Sequence, residues 1–421
     1  MNKNKKNIHH QKAQEIQQNN KSSSQNVGKR PPLHPAIAHA RRELIQALDE
    51  LPYHNSIIVA VSGGSDSTAL AHVARFVAQK KDLHVAVVIV DHGLRRESKK
   101  EAMQVYQRMH DLGFDDVDVV NADVYCYLGG PEGSARSARY DILADASQEY
   151  DNAPVLLGHT ADDQAETVLL GFGRGSGARS IAGMKKIGTL PEHDDIPAIR
   201  PLLDIRRKTL RKYLRSEGIE WVDDPTNSPH SDWKAADGTP LKRNAVRHQV
   251  LPAMKKVFGD ACVDALGRTA LQLQQDNAAL DMWAQEEYDR IVRIDSDGDP
   301  LCEPEKIYFD PGVLGPLYEG VYAYDTEVDN GEEYIISASH KDLEGLPIAI
   351  RTRVIRAMCL SAGALAGSLK SDHIETLNDF VMGEGRKKGQ RMFSLPTCKR
   401  CKLTAYQNEG RLYVKREKAV K

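Results

Sequence analysis

The chain has 421 residues, 41% hydrophobic and 28% charged, with 57 Lys and Arg against 59 Asp and Glu for a formal net charge of −2. That length predicts two or three domains with a substantial core, and the absence of any apolar run of about 18 residues excludes a hydrophobic spanning helix. Six scattered cysteines and an N-terminus without an apolar centre exclude a disulfide scaffold and a secretory leader, so a cytoplasmic protein with reduced thiols is expected.

Charge is distributed unevenly. Met1 to Arg30 holds seven Lys/Arg against one Glu, and its Asn/Gln/Lys/Ser composition predicts a disordered basic tail over residues 1–34. Asp295 to Glu333 carries twelve acids and one Lys, whereas Arg386 to Lys421 carries twelve Lys/Arg against two Glu. This asymmetry predicts a polyanionic partner met by one end of the molecule, with a solvated basic surface as the alternative.

The first ordered element is an amphipathic helix through Ile37, Leu44, Leu48 and Leu51. Ile57 to Val61 is an unbroken apolar run rich in β-branched residues, the pattern of a parallel strand buried on both faces. It enters Ser62-Gly63-Gly64-Ser65-Asp66-Ser67, and helical spacing follows from Thr68 to Ala78. Strand, glycine-rich turn and helix together build an anion site, because glycines admit close backbone approach and the helix N-terminus favours negative charge. The spacing fits neither the Walker pattern nor Gly-x-Gly-x-x-Gly. A plain strand–helix turn capped by Ser67 or Asp66 is the alternative.

Val85 to Val90 is a second buried strand ending at Asp91-His92. Helices over about Glu97–Leu112, Glu132–Glu149 and Ala161–Phe172 alternate with strands near Val117–Val120 and Val155–Gly158. Such alternation predicts βαβ units and a doubly wound parallel sheet of the α/β class, with ligands beyond the carboxyl ends of the strands. That rule gathers Ser62 to Ser67, Asp91-His92 and His159 to Asp163 into one neighbourhood. A polar insertion spans His230 to Leu241, and Pro252 is taken as the edge of the sheet domain. Asp260 to Ile294 reads as one long helix and Ala349 to Leu360 as another. Short alternating runs at Lys402–Tyr406 and Leu412–Val414 suggest a β-hairpin. The expected division is a tail to 34, a catalytic domain over 35–255, a helical linker or substrate-binding region over 256–348, and a smaller basic C-terminal unit of helix and strand over 349–421.

Gly158 to Thr167 places an imidazole at a strand end and two carboxylates in the first helical turn. Metal ligation by the acids, amine capture and general-base work by His159 all fit; Thr160 as an N-cap with acids complementing the dipole is the alternative. Gly171 to Arg179 follows a helix and not a strand, so it fails as a dinucleotide fingerprint; it offers Arg174 and Arg179 to an anion or is a solvated linker. Cys398 and Cys401 form a single C-x-x-C without a second pair, which reads as two ordinary thiols.

Ser-Gly-Gly-x-Asp-Ser resembles the PP-loop of the ATP pyrophosphatases. In order, the loop, Val90 to Arg95, Ala135 to Tyr140, Gly158 to Thr167, Arg174 to Gly177, Ile181 to Met184, Arg200 to Leu203, Trp221 to Asn227, Arg243-Asn244 and Arg247-His248 are similar to the tRNA(Ile)-lysidine synthase family. Two departures are that Thr160 stands where many members have a second histidine, and that Ser180-Ile181 replaces a usual Gly-Leu. Beyond Asp260 the match is thin.

The resemblance implies ATP-dependent attachment of L-lysine to the wobble cytidine of tRNA(Ile) with a CAU anticodon, through an adenylated cytidine, with release of AMP and pyrophosphate. It implies ATP on Ser62, Gly63, Gly64, Ser65, Asp66 and Ser67 with Asp91 and His92 beside them, and Mg²⁺ on Asp66 and Asp162. It implies chemistry by Asp66, His159 and Asp163, and substrate contacts by Arg136, Arg139, Arg174, Arg243 and Arg247. Two rivals are a tRNA thiolase of the same fold and a non-catalytic tRNA- or nucleotide-binding protein. A thiolase generally needs reactive cysteines near the loop, and Cys126 is the single cysteine of the sheet domain.

Overall fold

A computed structural model of the chain describes residues 33–93, 98–122, 131–175, 177–223, 241–296, 334–365, 368–383, 392–397 and 401–418. The basic tail, most of the acidic stretch, Cys126, Cys398 and nearly all of the 230–241 insertion lie outside the described residues.

The N-terminal part is built from α1 (Pro35–Glu50), β1 (Ser56–Ala60), α2 (Ser65–Lys81), β2 (His84–Asp91), α3 (Ser98–Asp111), β3 (Asp116–Asn121), α4 (Pro131–Glu149), β4 (Val155–Leu156), α5 (Ala161–Arg174), α6 (Ala178–Ile181), β5 (Ile187–Leu190), β6 (His193–Ile199) and α7 (Arg207–Ser216). Its sheet runs β3-β2-β1-β4-β6-β5, all parallel except that β5 pairs antiparallel with β6. This is the expected doubly wound architecture with an antiparallel edge hairpin that no apolar alternation announces. The order reverses between β1 and β4. Such a switch point leaves a crevice beyond the two carboxyl ends, because the following loops turn to opposite faces.

Burial follows from two-sided covering of the strands. Ile57, Val59, Val87 and Ile89 pack under α1, α2 and α7, while Ile58, Ala86 and Val88 pack under α4 against Tyr140 and Leu143. The central residues of β1 and β2 therefore meet helix on both faces, which explains the continuous apolar runs. β4 is shorter than its apolar sequence suggests: Val155 and Leu156 carry the ladder, and Leu157 donates one further bond to Ile199 before Gly158 turns away.

The chain continues through α8 (Lys242–Ala245), a π-helical turn (Val246–Val250), α9 (Leu251–Phe258), α10 (Cys262–Ile291), β7 (Val292–Ser296), β8 (Tyr334–Ser339), α11 (His340–Glu344), α12 (Ile348–Ser361), α13 (Ser371–Met382), β9 (Met392–Leu395), β10 (Cys401–Asn408) and β11 (Arg411–Lys418). The second sheet is antiparallel, in the order β7-β8-β11-β10-β9. The long helix stops at Ile291 and not at Ile294. Val292 and Ile294 alternate instead into register with Ala338 and Ile336 across the sheet. β7 and β8 thus share one sheet and one core with α12, α13 and the C-terminal hairpin, so a boundary at 348 falls inside a packed unit.

Among the described residues no helix is long and apolar enough to cross a membrane.

Candidate active site

Gly63 adopts φ +80°, a conformation that L side chains rarely tolerate, and a Cβ there would lie 2.3 Å from Val105 Cγ2. The loop turns back on itself: Ser62 N donates to Ser67 Oγ at 3.2 Å, and the Ser67 hydroxyl donates to Gly64 O at 3.1 Å. α2 then starts at Ser65 without a side-chain cap, which leaves its first N–H groups facing the turn.

Gly158 carries the second segment to this loop. A Cβ on Gly158 would stand 3.1 Å from Ser67 N and 3.2 Å from Ser67 Cα, so only a glycine lets the end of β4 lie so close to α2. His159 and α5 thereby sit beside Ser62–Ser67. Asp91 is buried at the end of β2, where its Oδ1 accepts from Gly93 N at 3.0 Å, and His92 follows it.

The acids are held by arginines, several of which the sequence did not single out. Arg207, the first residue of α7, donates Nε to Asp66 Oδ2 at 2.6 Å and Nη2 to Asp163 Oδ1 at 2.9 Å. Its backbone N–H reaches Asp162 Oδ2 at 2.8 Å, and Arg206 lies 3.4 Å from the same carboxylate. Asp163 Oδ2 accepts from Thr160 N at 2.9 Å and Thr160 Oγ1 at 2.6 Å, which closes a capping box. Thr160 is therefore the N-cap of α5, while Asp163 both caps the helix and anchors Arg207. Glu166, 1% exposed, accepts from Arg243 Nε at 2.9 Å and from Arg247 Nε at 2.6 Å. It lies three positions after Asp163, on the same helical face, which is the one sequence signal that could have selected it.

These contacts fix charge states. Burial opposes ionisation of Asp163, but Arg207 and Arg243 outweigh it and hold the carboxyl far below its ordinary value. Arg207 is held above its ordinary value: burial works against it, and Asp163 and Asp66 more than compensate. Burial pushes the Asp66 carboxyl up, more than Arg207 pulls it down. His159 is half-buried; desolvation first, then Arg200, depresses its imidazole well below the ordinary 6.5, so it is neutral at physiological pH.

Arg136 and Arg139 each place a guanidinium 4.9 Å from the centre of the Tyr140 ring, and Arg139 Nη2 donates to the phenol oxygen at 3.2 Å. Burial pushes that phenol up, yet the two arginines prevail and hold it below its ordinary value. Arg136, Arg139, Arg243 and Arg247 are thus brought toward the His159–Asp163 segment. Arg174 is not: it stands exposed on the last turn of α5. Arg179 is instead paired with buried Asp281 of α10.

As a metal site the acids form no cage. Both oxygens of Asp162 face Arg206, with Lys255 3.9 Å away. The one described group of three side chains able to converge on an ion is His39, Glu43 and Asp204, where Lys186 Nζ already bridges the two acids at 2.5 Å each. Asp66 is also paired, through Oδ2 to Arg207 at 2.6 Å; its Oδ1, beside the Ser65 hydroxyl at 3.0 Å, is the oxygen that could serve as a single carboxylate ligand to a cation carried by phosphates.

Residues 37–254 match a family model described as a PP-loop domain. The chain is 37% identical over 367 residues to a tRNA(Ile)-lysidine synthase of Thermobifida fusca (strain YX), covering 87% of this chain and 94% of that protein. It is 36% identical over 366 residues to a tRNA(Ile)-lysidine synthase of Streptomyces coelicolor, covering 87% and 86%. A solved structure, the U34-tRNA thiolase NcsA from Methanococcus maripaludis, aligns with a TM-score of 0.45 at 16% identity over 57% of this chain and 80% of that one, a likeness that says nothing of function.

Proposed function

Because this chain belongs to the tRNA(Ile)-lysidine synthase family, we propose that it joins L-lysine to the wobble cytidine of tRNA(Ile) with a CAU anticodon, using ATP and releasing AMP and pyrophosphate. The observation that carries the reading is the close approach of Gly158 to Ser67, which sets a phosphate-binding turn beside an imidazole and a fixed set of charges.

ATP lies with its phosphates on Ser62 to Ser67 and the α2 N-terminus, next to Asp91 and His92. The extruded cytosine O2 attacks the α-phosphorus, the bond to the bridging oxygen breaks and pyrophosphate leaves. The neutral ε-amine of lysine then adds at C2, the C2–O bond breaks, AMP departs and the amine proton is lost. Asp66 is the carboxylate that would hold Mg²⁺, which would neutralise phosphate charge when bound with the nucleotide; Asp162 is left to Arg206. Asp163 is proposed to orient Arg207 and His159. Arg136 and Arg139, lying on the Tyr140 ring, are the pair proposed for RNA phosphate or the lysine carboxylate. Arg243 and Arg247 hold Glu166, and exposed Arg174 is proposed to meet the RNA backbone. The protein is proposed to work in the cytoplasm.

The test is incubation of protein, ATP, Mg²⁺ and labelled lysine with tRNA(Ile) transcripts, followed by digestion. Lysidine is expected. Sulfur incorporation in its place, in a parallel incubation with sulfide, would make the protein a thiolase, and no ATP turnover at all would make it a binding protein. The three described cysteines, Cys262, Cys359 and Cys401, are buried outside the PP-loop domain, and burial pushes the Cys359 thiol up to about 12, which disfavours thiol chemistry.

His159→Ala is expected to slow lysidine formation by about 100-fold while changing ATP affinity little. Since its imidazole is neutral well below pH 6.5, wild-type lysine transfer is expected to lack an inflection near that pH. The rate should instead climb with pH as the lysine amine, ordinarily near 10.4, loses its proton. Equal loss of ATP affinity and transfer in the variant would move His159 to a nucleotide role.

The C-terminal sheet turns Tyr406 and Tyr413 outward, stacked at 4.9 Å and 8°, on the face that carries Lys402 and Lys415. Such a face suits RNA phosphates and sugar edges. Lys402→Glu with Lys415→Glu is expected to weaken tRNA binding and to flatten its log–log salt slope by about 2, as two phosphate contacts are lost. Pyrophosphate release at saturating tRNA should persist. Unchanged affinity and slope would leave this face as a solvated sheet surface.

A further inference from the structure

The motif Trp221-Val222-Asp223 has no part in the reaction as described above, yet it lies against the phosphate turn. Val222 N donates to Gly63 O at 2.8 Å. Asp223 Oδ1 accepts from Trp221 Nε1 at 3.2 Å and from Arg211 Nη2 at 2.7 Å. Arg211 in turn donates Nε to the Ser65 hydroxyl at 3.2 Å, and its guanidinium carbon stands 5.9 Å from the centre of the Trp221 ring. A turn of α7 thus reaches across 146 positions of sequence to the loop, aligned by an indole and a carboxylate.

Arg207, one turn earlier, also meets the loop, but both its sides are held by acids, half-buried Asp66 and buried Asp163. Arg211 is different. Among the described residues its carboxylate partner is Asp223, 70% exposed, and its own side chain is 37% exposed. Exposed pairs of this kind contribute little to stability, so the arrangement is poorly explained as a brace for the fold. Among the described residues Nη1 has no assigned acceptor, and a guanidinium fixed at Nε and Nη2 presents that edge in one orientation.

Resting on the reading that ATP lies on Ser62 to Ser67, we propose that Arg211 binds the β- and γ-phosphates of the nucleotide and retains the charge of the departing pyrophosphate, with Asp223 and Trp221 as positioning residues. The strap from Trp221 to Asp223 then serves the nucleotide end that leaves, and the His159 side serves the end that reacts. A fixed guanidinium suits this work, because charge accumulates on the bridging oxygen as the bond breaks and no reorganisation is needed to meet it.

The full chain tests this through three constants in the lysidine-forming assay: KM for ATP, and the inhibition constants for pyrophosphate and for AMP. Arg211→Gln is expected to raise the first two by about 10- to 100-fold, the loss of a charge-assisted bond, and to leave the AMP constant within about twofold. Arg211→Lys keeps the charge without the fork and should fall between. Asp223→Asn should move the same two constants by about threefold to tenfold, since it only releases the arginine. Equal changes in ATP, pyrophosphate and AMP constants would overturn the proposal, because that pattern marks a general disturbance of the site. A rise in KM for tRNA with unchanged ATP and pyrophosphate constants would also overturn it, assigning Arg211 to the RNA backbone. Ser67→Ala separates the underlying reading: if it moves none of the three constants the nucleotide is not on the turn, whatever Arg211 does.

Discussion

Asp66→Asn is expected to slow pyrophosphate release by about 100- to 1,000-fold while the protein stays folded. Asparagine matches the carboxylate in shape and removes its charge, so the change acts on the electrostatics of the turn and not on packing. Arg207 keeps a partner, because its Nη2 remains on Asp163 at 2.9 Å, and no buried guanidinium is stranded. Ser67→Ala should act in the same direction, since it removes the hydroxyl that ties Gly64 O to Ser62 N across the turn. A continuous pyrophosphate assay beside a thermal melt separates the two effects. Normal release by both variants would mean that the turn is a strand–helix connection and holds no phosphate.

The second large effect is on stability. Glu166→Ala is expected to lower the melting temperature of the sheet domain by about 6–20 °C, from a loss of about 3–5 kcal/mol. Glu166 is nearly inaccessible to water, and its two oxygens take Arg243 at 2.9 Å and Arg247 at 2.6 Å. Deleting it leaves two partly buried guanidinium groups without their carboxylate, with Asp163 at 3.5 and 3.4 Å. The penalty comes from the stranded partners more than from the lost attraction. Replacing all three together, Glu166→Leu with Arg243→Met and Arg247→Leu, should therefore recover much of the melting temperature without recovering lysidine formation. A Glu166→Ala protein that melts within about 2 °C of wild type would show that water already solvates the arginines, contrary to the burial seen.

Much of this architecture was legible in the residues. Ile57–Val61 and Val85–Val90 announce themselves because a strand covered on both faces by helices must be apolar at every position. The glycine turn and the Gly158–Thr167 segment were legible for a related reason. Gly63 at φ +80° and Gly158 against Ser67 are places where backbone geometry leaves the sequence no other choice. The topological rule for open sheets then put the turn, Asp91-His92 and His159–Asp163 together without coordinates.

Other elements carried no such mark. The β5–β6 hairpin is an edge, and Glu192 turns it at φ 71° amid polar residues, so no alternation betrayed it. β7 and β8 join one sheet from opposite sides of the acidic stretch, and that pairing is long-range.

The sequence by itself determined the class of fold, the phosphate-binding turn and the set of ionisable groups around it, because each of these is dictated by local geometry or by burial period. The tertiary structure alone decided which charges face one another. Asp66 and Arg207 are 141 positions apart, Asp163 and Arg247 84, and Arg211 reaches Ser65 across 146. A buried carboxylate must be paired, but any of several arginines could satisfy it. The choice is made by where α7, α8 and the π-helical turn come to rest on the sheet. That choice separates acids locked to arginines, such as Asp162, Asp163 and Glu166, from the exposed Arg211 edge that remains to meet a phosphate.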